Sequence, residues 1–166
     1  MVGAVPVYSR LLIILDGSDA GDIVLNYVPS VASAARPDHL ILLRVLEDSS
    51  EEVRTHEYFG KHRGALEHAL SPLAAAAPFI EVAAVPAVES DVARAIVEFA
   101  LRDGSGMIML ATRGWSGADW WTSGSVGERV VREANVPVFV VRPAGGRGLA
   151  PGAITRILVP LDGSSE

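Results

Sequence analysis

The sequence predicts an α/β fold, a doubly wound five-stranded parallel sheet with helices on both faces. Two observations predict this class. Short apolar runs recur along the chain with almost no polar side chain inside them, which is typical of strands buried on both faces. The segments between these runs place apolar residues at helical spacing, so that strands and helices alternate along the domain.

Five segments are predicted strands. Four are nearly continuous apolar runs, while the third in chain order contains a glutamate and two alanines and is weaker. Right-handed crossovers would join the five into one parallel sheet. The predicted strands are residues 11–15, 40–43, 79–85, 107–110 and 138–141.

Four segments between the strands are predicted helices. The first begins beside Asp19 and the third beside Ser90, and both residue types commonly cap helix N-termini. The second helix is polar at first and then rich in alanine. The predicted helices are residues 19–35, 55–76, 90–102 and 124–134.

The end of the chain repeats its beginning. Residues 155–166 read TRILVPLDGSSE, which is close to SRLLIILDGSDA at residues 9–20. A stretch rich in glycine and proline at residues 144–153 precedes the repeat and has the composition of a linker. We therefore expect one α/β domain at residues 1–143, a linker, and at residues 154–166 the first strand and turn of a second repeat, cut short. The alternative is that this extra strand packs on the first domain or on a partner chain.

The composition argues against several classes of function. The net charge is −6 with no basic run, so nucleic acids and anionic membranes are poor partners. Cysteine is absent, which excludes thiol chemistry, and the single lysine, Lys61, argues against a lysine-based mechanism. No apolar stretch reaches the roughly 20 residues of a membrane span, and the start lacks the basic region of a signal peptide. We expect a soluble, cytoplasmic protein.

Two strand ends carry the residues that point to a binding site. Asp16 follows the first predicted strand, and Gly114 follows the fourth. Gly124 and Ser125 then open a helix, whose free N–H groups suit a phosphate. The Asp16 carboxylate would repel a bare phosphate, so it suits a ribose hydroxyl or a metal-bridged phosphate better. Each feature alone is more typical of a cap or a turn, but their position at neighbouring strand ends favours a ligand site.

Established enzyme motifs are missing from the sequence. The stretch at residues 123–127 is not a complete nucleophile elbow, and no histidine follows it, because the last one is His68. The Walker signature is absent, and no Rossmann glycine motif follows the first strand. His56, His62 and His68 are six residues apart, a rotation of about 600° per step, so they share no helix face and are expected to be solvated rather than metal ligands. We expect no catalytic residue, and slow hydrolysis of a bound ligand at most.

The glycine-containing segment resembles the signature of the universal stress protein family, Gly-x2-Gly-x9-Gly-Ser. Ala111 stands at the first glycine of that signature, followed by Gly114, Gly124 and Ser125. The runs IILDGS and EANVPVFVVRP resemble the first and last strands of the family, so the resemblance spans residues 9–143. It implies a Rossmann-like, adenine nucleotide alpha hydrolase-like fold with strand order 3-2-1-4-5. Tandem members are common in this family, which fits the repeated segment at the end of the chain.

The resemblance also implies a ligand and a partner. It implies an ATP-binding regulatory module of the stress response, with Mg²⁺ as a possible companion of the nucleotide and with dimerisation through the strand at residues 137–142. A dimerisation module of the same fold with an empty pocket is the alternative. The adenine and ribose contacts would be Leu15, Asp16 and Val45. The pocket floor would be Leu110, Ala111 and Gly114. The phosphate contacts would be Arg113, Gly124, Ser125 and Val126.

Two further segments flank the expected site. Trp115, Trp120 and Trp121 lie within the signature, where they either stack on a purine or anchor a loop or a subunit contact. The acidic stretch at residues 47–54 is expected to be a solvated loop, with a lid over the site as the alternative.

Overall fold

The computed structural model of the chain describes residues 8–89, 91–112 and 125–142. Within them a five-stranded sheet has the order β3-β2-β1-β4-β5, and every strand pair is parallel. The predicted fold class and strand order are therefore confirmed, and each predicted strand is present. The strands are β1 Arg10–Ile14, β2 His39–Leu46, β3 Phe79–Pro86, β4 Met107–Ala111 and β5 Val138–Val141.

Helices connect the strands on both faces of the sheet. The α-helices are α1 Asp19–Asp22, α2 Val28–Ala35, α3 Glu52–Leu70, α4 Val92–Asp103 and α5 Val126–Glu133. Short 3-10 helices occur at Ile23–Asn26, Ser49–Glu51 and Ser71–Ala76. Among the helices of the described residues, none combines the length and the apolar character needed to cross a membrane.

The first predicted helix, residues 19–35, is divided in the structure. A 3-10 helix at Ile23–Asn26 separates α1 from α2. Pro29 stands in the first turn of α2. Proline has no N–H to donate and its ring clashes with the preceding turn, so a new helix begins here instead of one continuing.

Two helix caps also differ from the prediction. Ser18, not Asp19, caps α1, because its Oγ accepts a hydrogen bond from the Gly21 N–H at 3.0 Å. Asp91 caps α4 instead of the expected Ser90, since its Oδ1 accepts from the Arg94 N–H at 3.1 Å. In both cases the capping side chain is the one three residues before the N–H it satisfies.

The core consists of two apolar layers, one on each face of the sheet. Alternating strand residues divide between them: Leu11 and Ile13 face one side, and Leu12 faces the other. The first layer is closed by residues of α2 and α3, and the second by residues of α4 and α5. The helix residues of the first layer include Val28, Val31, Phe59, Leu66 and Leu70, and those of the second include Ala93, Ile96, Ala100 and Val130.

The strand register aligns the carboxyl ends of the strands at one edge of the sheet. Ile14 pairs with Leu43 of β2, and Ile13 pairs with Met109 of β4. The chain passes from β1 to β2 in one direction and later from β3 to β4 on the other side of β1. The ends of β1 and β4 therefore flank the point where the strand order reverses, which is where open α/β sheets bind ligands.

Candidate functional site

Asp16 lies in a tight turn two residues beyond β1. Its side chain is exposed, and its Oδ1 accepts hydrogen bonds from the Ser18 N–H at 2.9 Å and the Ser18 hydroxyl at 2.6 Å. Gly17 has a φ of 81°, a left-handed conformation that favours glycine. The carboxylate folds back over Gly21, where an added Cβ would lie 2.2 Å from Oδ1. The Asp16 turn, residues 16–18, thus places a carboxylate in a defined orientation at the carboxyl edge.

The two other residues expected near adenine and ribose differ in exposure. Leu15 is 1% exposed, and its N–H donates to the Leu43 carbonyl at 2.9 Å. It therefore anchors the start of the Asp16 turn in the core. Val45 lies near the end of β2 and packs, half-buried, against the second apolar layer.

The end of β4 packs closely against the start of α5. Leu110 is buried, and Ala111 is half-buried. A Cβ added to Gly127 would lie 3.5 Å from Leu110 Cδ1 and 3.8 Å from Thr112 Cγ2, which is ordinary contact. The N-terminus of α5 is therefore in contact with the end of β4, next to the point where the strand order reverses.

Ser125 is the N-cap of α5, as its position in the signature suggests. Its Oγ accepts from the Glu128 N–H at 3.2 Å, so its hydroxyl proton is left to donate elsewhere. Val126 is 43% exposed at the first helical position. Glu128 adds a carboxylate to the first turn and is paired with Arg132, which offsets its charge. An anion bound here would be held by backbone N–H groups and a hydroxyl.

The remaining candidate residues lie outside the described residues. These are Arg113, Gly114 and Gly124, together with the three tryptophans of the same segment. The linker at 144–153 and the repeat at 154–166 also lie outside. The roles expected for all of them stay predictions.

A polar cluster that the sequence reasoning missed lies beside the Asp16 turn. We call it the Tyr58 cluster; it consists of Asp22, Arg44, Tyr58 and His62. The Tyr58 hydroxyl donates to Asp22 Oδ1, and His62 Nε2 lies 3.0 Å from Asp22 Oδ2. The Arg44 guanidinium stands over the Tyr58 ring, 5.5 Å from its centroid. Burial and the hydrogen bond to Asp22 raise the pKa of Tyr58, so the hydroxyl stays protonated and acts as a donor.

The structure corrects two expectations drawn from the sequence. His62 is only 9% exposed, so the prediction that it is solvated was wrong. It lies on the inner face of α3, one turn after Tyr58, and its ring packs against Tyr58 with centroids 4.4 Å apart. That four-residue spacing was the available signal. Residues 47–54 are not simply a loop, because they contain a 3-10 helix and the start of α3.

The acidic side chains of the described residues do not form an evident metal centre. Within residues 8–89, 91–112 and 125–142, no group of three or more histidine, aspartate or glutamate side chains is placed to hold a metal ion. Asp16 and Asp22 instead have partners within the protein.

Comparison with known proteins adds the family context. The model of the universal stress protein family matches residues 8–142. No curated protein matches the chain in sequence. A solved universal stress protein in complex with cAMP has a TM-score of 0.64 at 20% identity, covering 81% of this chain and 97% of that one.

Two structures from Archaeoglobus fulgidus are also similar. A universal stress protein in complex with dAMP has a TM-score of 0.60 at 16% identity, covering 81% of this chain and 98% of that one. Another, from strain DSM 4304, has a TM-score of 0.60 at 21% identity and covers 82% of this chain but 46% of that one. At these identities the likeness concerns the fold, whereas the family model matches most of the sequence directly. The chain belongs to the universal stress protein family.

Proposed function

We propose that this domain is an ATP-binding regulatory module of the stress response that acts as a homodimer. The observation that carries the proposal is the meeting of three features at one edge of the sheet. The Asp16 turn, the end of β4 and the N-terminus of α5 all lie where the strand order reverses. Such an edge offers an acceptor for sugar hydroxyls on one side and N–H donors for phosphate on the other.

The relatives support an adenine nucleotide as the ligand. Two solved structures of similar fold contain cAMP and dAMP respectively. Both ligands combine an adenine base with a sugar and a phosphate, which is the combination of groups that this edge would accommodate. The step from these monophosphates to ATP is our own proposal and rests on the glycine-containing signature.

In this proposal the site residues divide by the part of the nucleotide that they contact. Asp16 accepts hydrogen bonds from the ribose, while Leu15 and Val45 border the adenine. Leu110, Ala111 and Gly114 form the floor of the pocket. Arg113, Gly124, Ser125 and Val126 contact the phosphates. In this proposal Mg²⁺ would enter with the phosphates.

No catalytic role is proposed for any residue. Among the described residues of this site, Asp16 is the only carboxylate that we consider as a base, and its Oδ1 already accepts two hydrogen bonds from Ser18. Nucleotide binding would therefore act by changing the shape or the partners of the domain, with slow hydrolysis at most.

Calorimetric titration of the nucleotide-stripped chain with Mg-ATP tests the proposal. We expect saturable binding that Asp16→Ala weakens by about tenfold, the value of one hydrogen bond to a charged group. Asp38→Ala is the matched control, because Asp38 is exposed but lies at the opposite end of the sheet, before β2. Absence of binding by the native chain would overturn the nucleotide assignment.

The alternative function, a dimerisation module with an empty pocket, has its own support in β5. Of the described strands, β5 is at one edge of the sheet. The carbonyl groups of Pro137 and Val141 accept hydrogen bonds from the N–H groups of Ile108 in β4 and of Thr112 just after it, so the backbone of Val138 and Val140 faces away from β4. A strand edge that no other described strand covers favours pairing with a second copy.

A proline substitution in β5 tests whether the outward-facing backbone of this strand forms the subunit contact. Val140→Pro removes an N–H that faces outward, so the pairing of β5 with β4 is retained. We expect Val140→Pro to shift a dimer to monomers in light scattering, while Val140→Ala leaves it unchanged. A dimer that persists in Val140→Pro would place the subunit contact elsewhere.

We further propose that this chain contains the first domain of a tandem protein and the start of its second domain. The support is the repeated segment at residues 154–166 and the similar structure of which this chain covers only 46%. In this arrangement residues 1–143 form the first domain and residues 144–153 the linker. Deleting residues 147–166 should alter the oligomeric state or solubility, and identical light scattering would contradict a role for the repeat.

A further inference from the structure

Arg44 packs directly against the Asp16 turn. It lies on β2, one residue before Val45, and its side chain is 14% exposed. A Cβ added to Gly17 would lie 3.0 Å from both Arg44 Cζ and Arg44 Nη2. The guanidinium therefore rests against the bare face of this glycine, on the residue that follows Asp16.

The Tyr58 cluster and Glu51 hold Arg44 in that place. The Tyr58 ring lies beneath the guanidinium, and Glu51 Oε2 lies 3.6 Å from Arg44 Nη2. Tyr58 is itself fixed by its hydrogen bond to Asp22 and by the packed ring of His62. A planar guanidinium on an aromatic ring with a carboxylate at its edge loses little further freedom, so it is a rigid support.

The charges around Tyr58 also connect Arg44 with Asp16. The negative charges of Asp22 and Asp16 each raise the pKa of Tyr58, and the positive charge of Arg44 lowers it. Asp16, Asp22 and Arg44 are therefore close enough to share one electrostatic environment. Arg44 is the cation among these three side chains, and Glu51 adds a third carboxylate beside it.

We propose that Arg44 and Tyr58 are positioning residues that hold the Asp16 turn in the orientation required for the ribose hydroxyls of the nucleotide. This inference rests on the proposed nucleotide site. It adds the two residues that orient Asp16 for recognition of the sugar. Neither residue touches the ligand. They act through Gly17, so their effect is on the discrimination of ribose rather than on adenine or phosphate.

Titration of the full chain with Mg-ATP and with Mg-2′,3′-dideoxyATP tests the inference. The dissociation constant for dideoxyATP divided by that for ATP reports the contribution of the sugar hydroxyls alone. A purely structural role of Arg44 would weaken both nucleotides equally and leave this ratio unchanged. For the native chain we expect a ratio of about ten. Arg44→Met should lower the ratio to within about twofold of one, and Arg44→Lys, which keeps the charge without the flat stacking, should give an intermediate value.

Three further comparisons between variants make the test more specific. Tyr58→Leu removes the aromatic support and should also reduce the ratio, whereas Tyr58→Phe keeps the ring and should preserve it. In an Asp16→Asn background, Arg44→Met should produce no further change, because both act on the same contact. Arg94→Met controls for loss of one positive charge, since Arg94 lies on exposed α4 surface.

The outcomes separate this inference from the proposed function. An unchanged ratio in Arg44→Met overturns the inference while leaving the nucleotide site in place; if that variant does not fold, an unchanged ratio in Arg44→Lys does the same. A native ratio of one also overturns it, because Asp16 would then not recognise the sugar. If the native chain binds neither nucleotide, the proposed function itself fails.

Discussion

Gly21→Ala tests whether the Asp16 carboxylate lies where the structure places it. Alanine normally stabilises a helix relative to glycine, and Gly21 lies within α1. Here the added methyl would lie 2.2 Å from Asp16 Oδ1 and 2.9 Å from Asp16 Cγ, distances that bonded neighbours alone can reach. The carboxylate must therefore swing away and release its hydrogen bonds to Ser18.

The expected size of the effect follows from two opposing contributions. The helical preference of alanine adds up to about 1 kcal/mol. The two hydrogen bonds from Ser18 to the exposed carboxylate contribute about 1 kcal/mol each, less than is usual for a charged acceptor because water competes for them. The net result is a loss of roughly 1 kcal/mol in the free energy of unfolding.

Gly64→Ala is the matched control. Gly64 lies on the exposed surface of α3, where an added Cβ meets no atom within 4 Å. This variant gains the helical preference without any clash, so its free energy of unfolding should rise by about 1 kcal/mol. The two variants should therefore differ by about 2 kcal/mol.

Urea unfolding followed by circular dichroism measures both variants without any ligand. The slope of the unfolding free energy against urea should be the same for both, since the buried surface hardly changes. If Gly21→Ala stabilises the chain as much as Gly64→Ala, the carboxylate does not lie over α1. The Asp16 turn would then have a different orientation, and Arg44 and Tyr58 would not hold it in the way proposed.

Three further predictions concern the core, the pH dependence and the signature. Leu42→Ala should cost about 2–5 kcal/mol in urea unfolding because Leu42 is completely buried, whereas Leu101→Ala, at a 65% exposed position, should change little. Burial disfavours the charge of Asp103, but hydrogen bonds from Arg10 and Ser105 prevail and lower its pKa, so the advantage of the native chain over Asp103→Asn should be present above about pH 4 and vanish as the pH falls through the lowered pKa. An equal difference between the two at every pH would refute this. Gly124→Asp should abolish ATP binding in calorimetry while leaving the far-ultraviolet spectrum unchanged, and unaltered affinity would remove Gly124 from the site.

The sequence alone was sufficient for the fold because its signals are local. Four of the five strands are nearly continuous apolar runs, and three of the four predicted helices have a periodic apolar face, so the alternation can be counted along the chain. The signature and its flanking strands were equally local, and they identified the family that the family model confirms. The helix caps were placed one residue off because a cap depends on which side chain reaches a given N–H.

The support of the candidate site was not accessible in this way. Asp16, Arg44 and Tyr58 belong to three different elements, and no spacing along the chain relates them. Their contacts depend on the strand register, which sets Arg44 beside the turn after β1, and on the rotation of α3, which turns Tyr58 and His62 inward. Local periodicity shows only that a residue faces inward. The partner that it meets there is decided by the packing of one element on another, which only the tertiary structure determines.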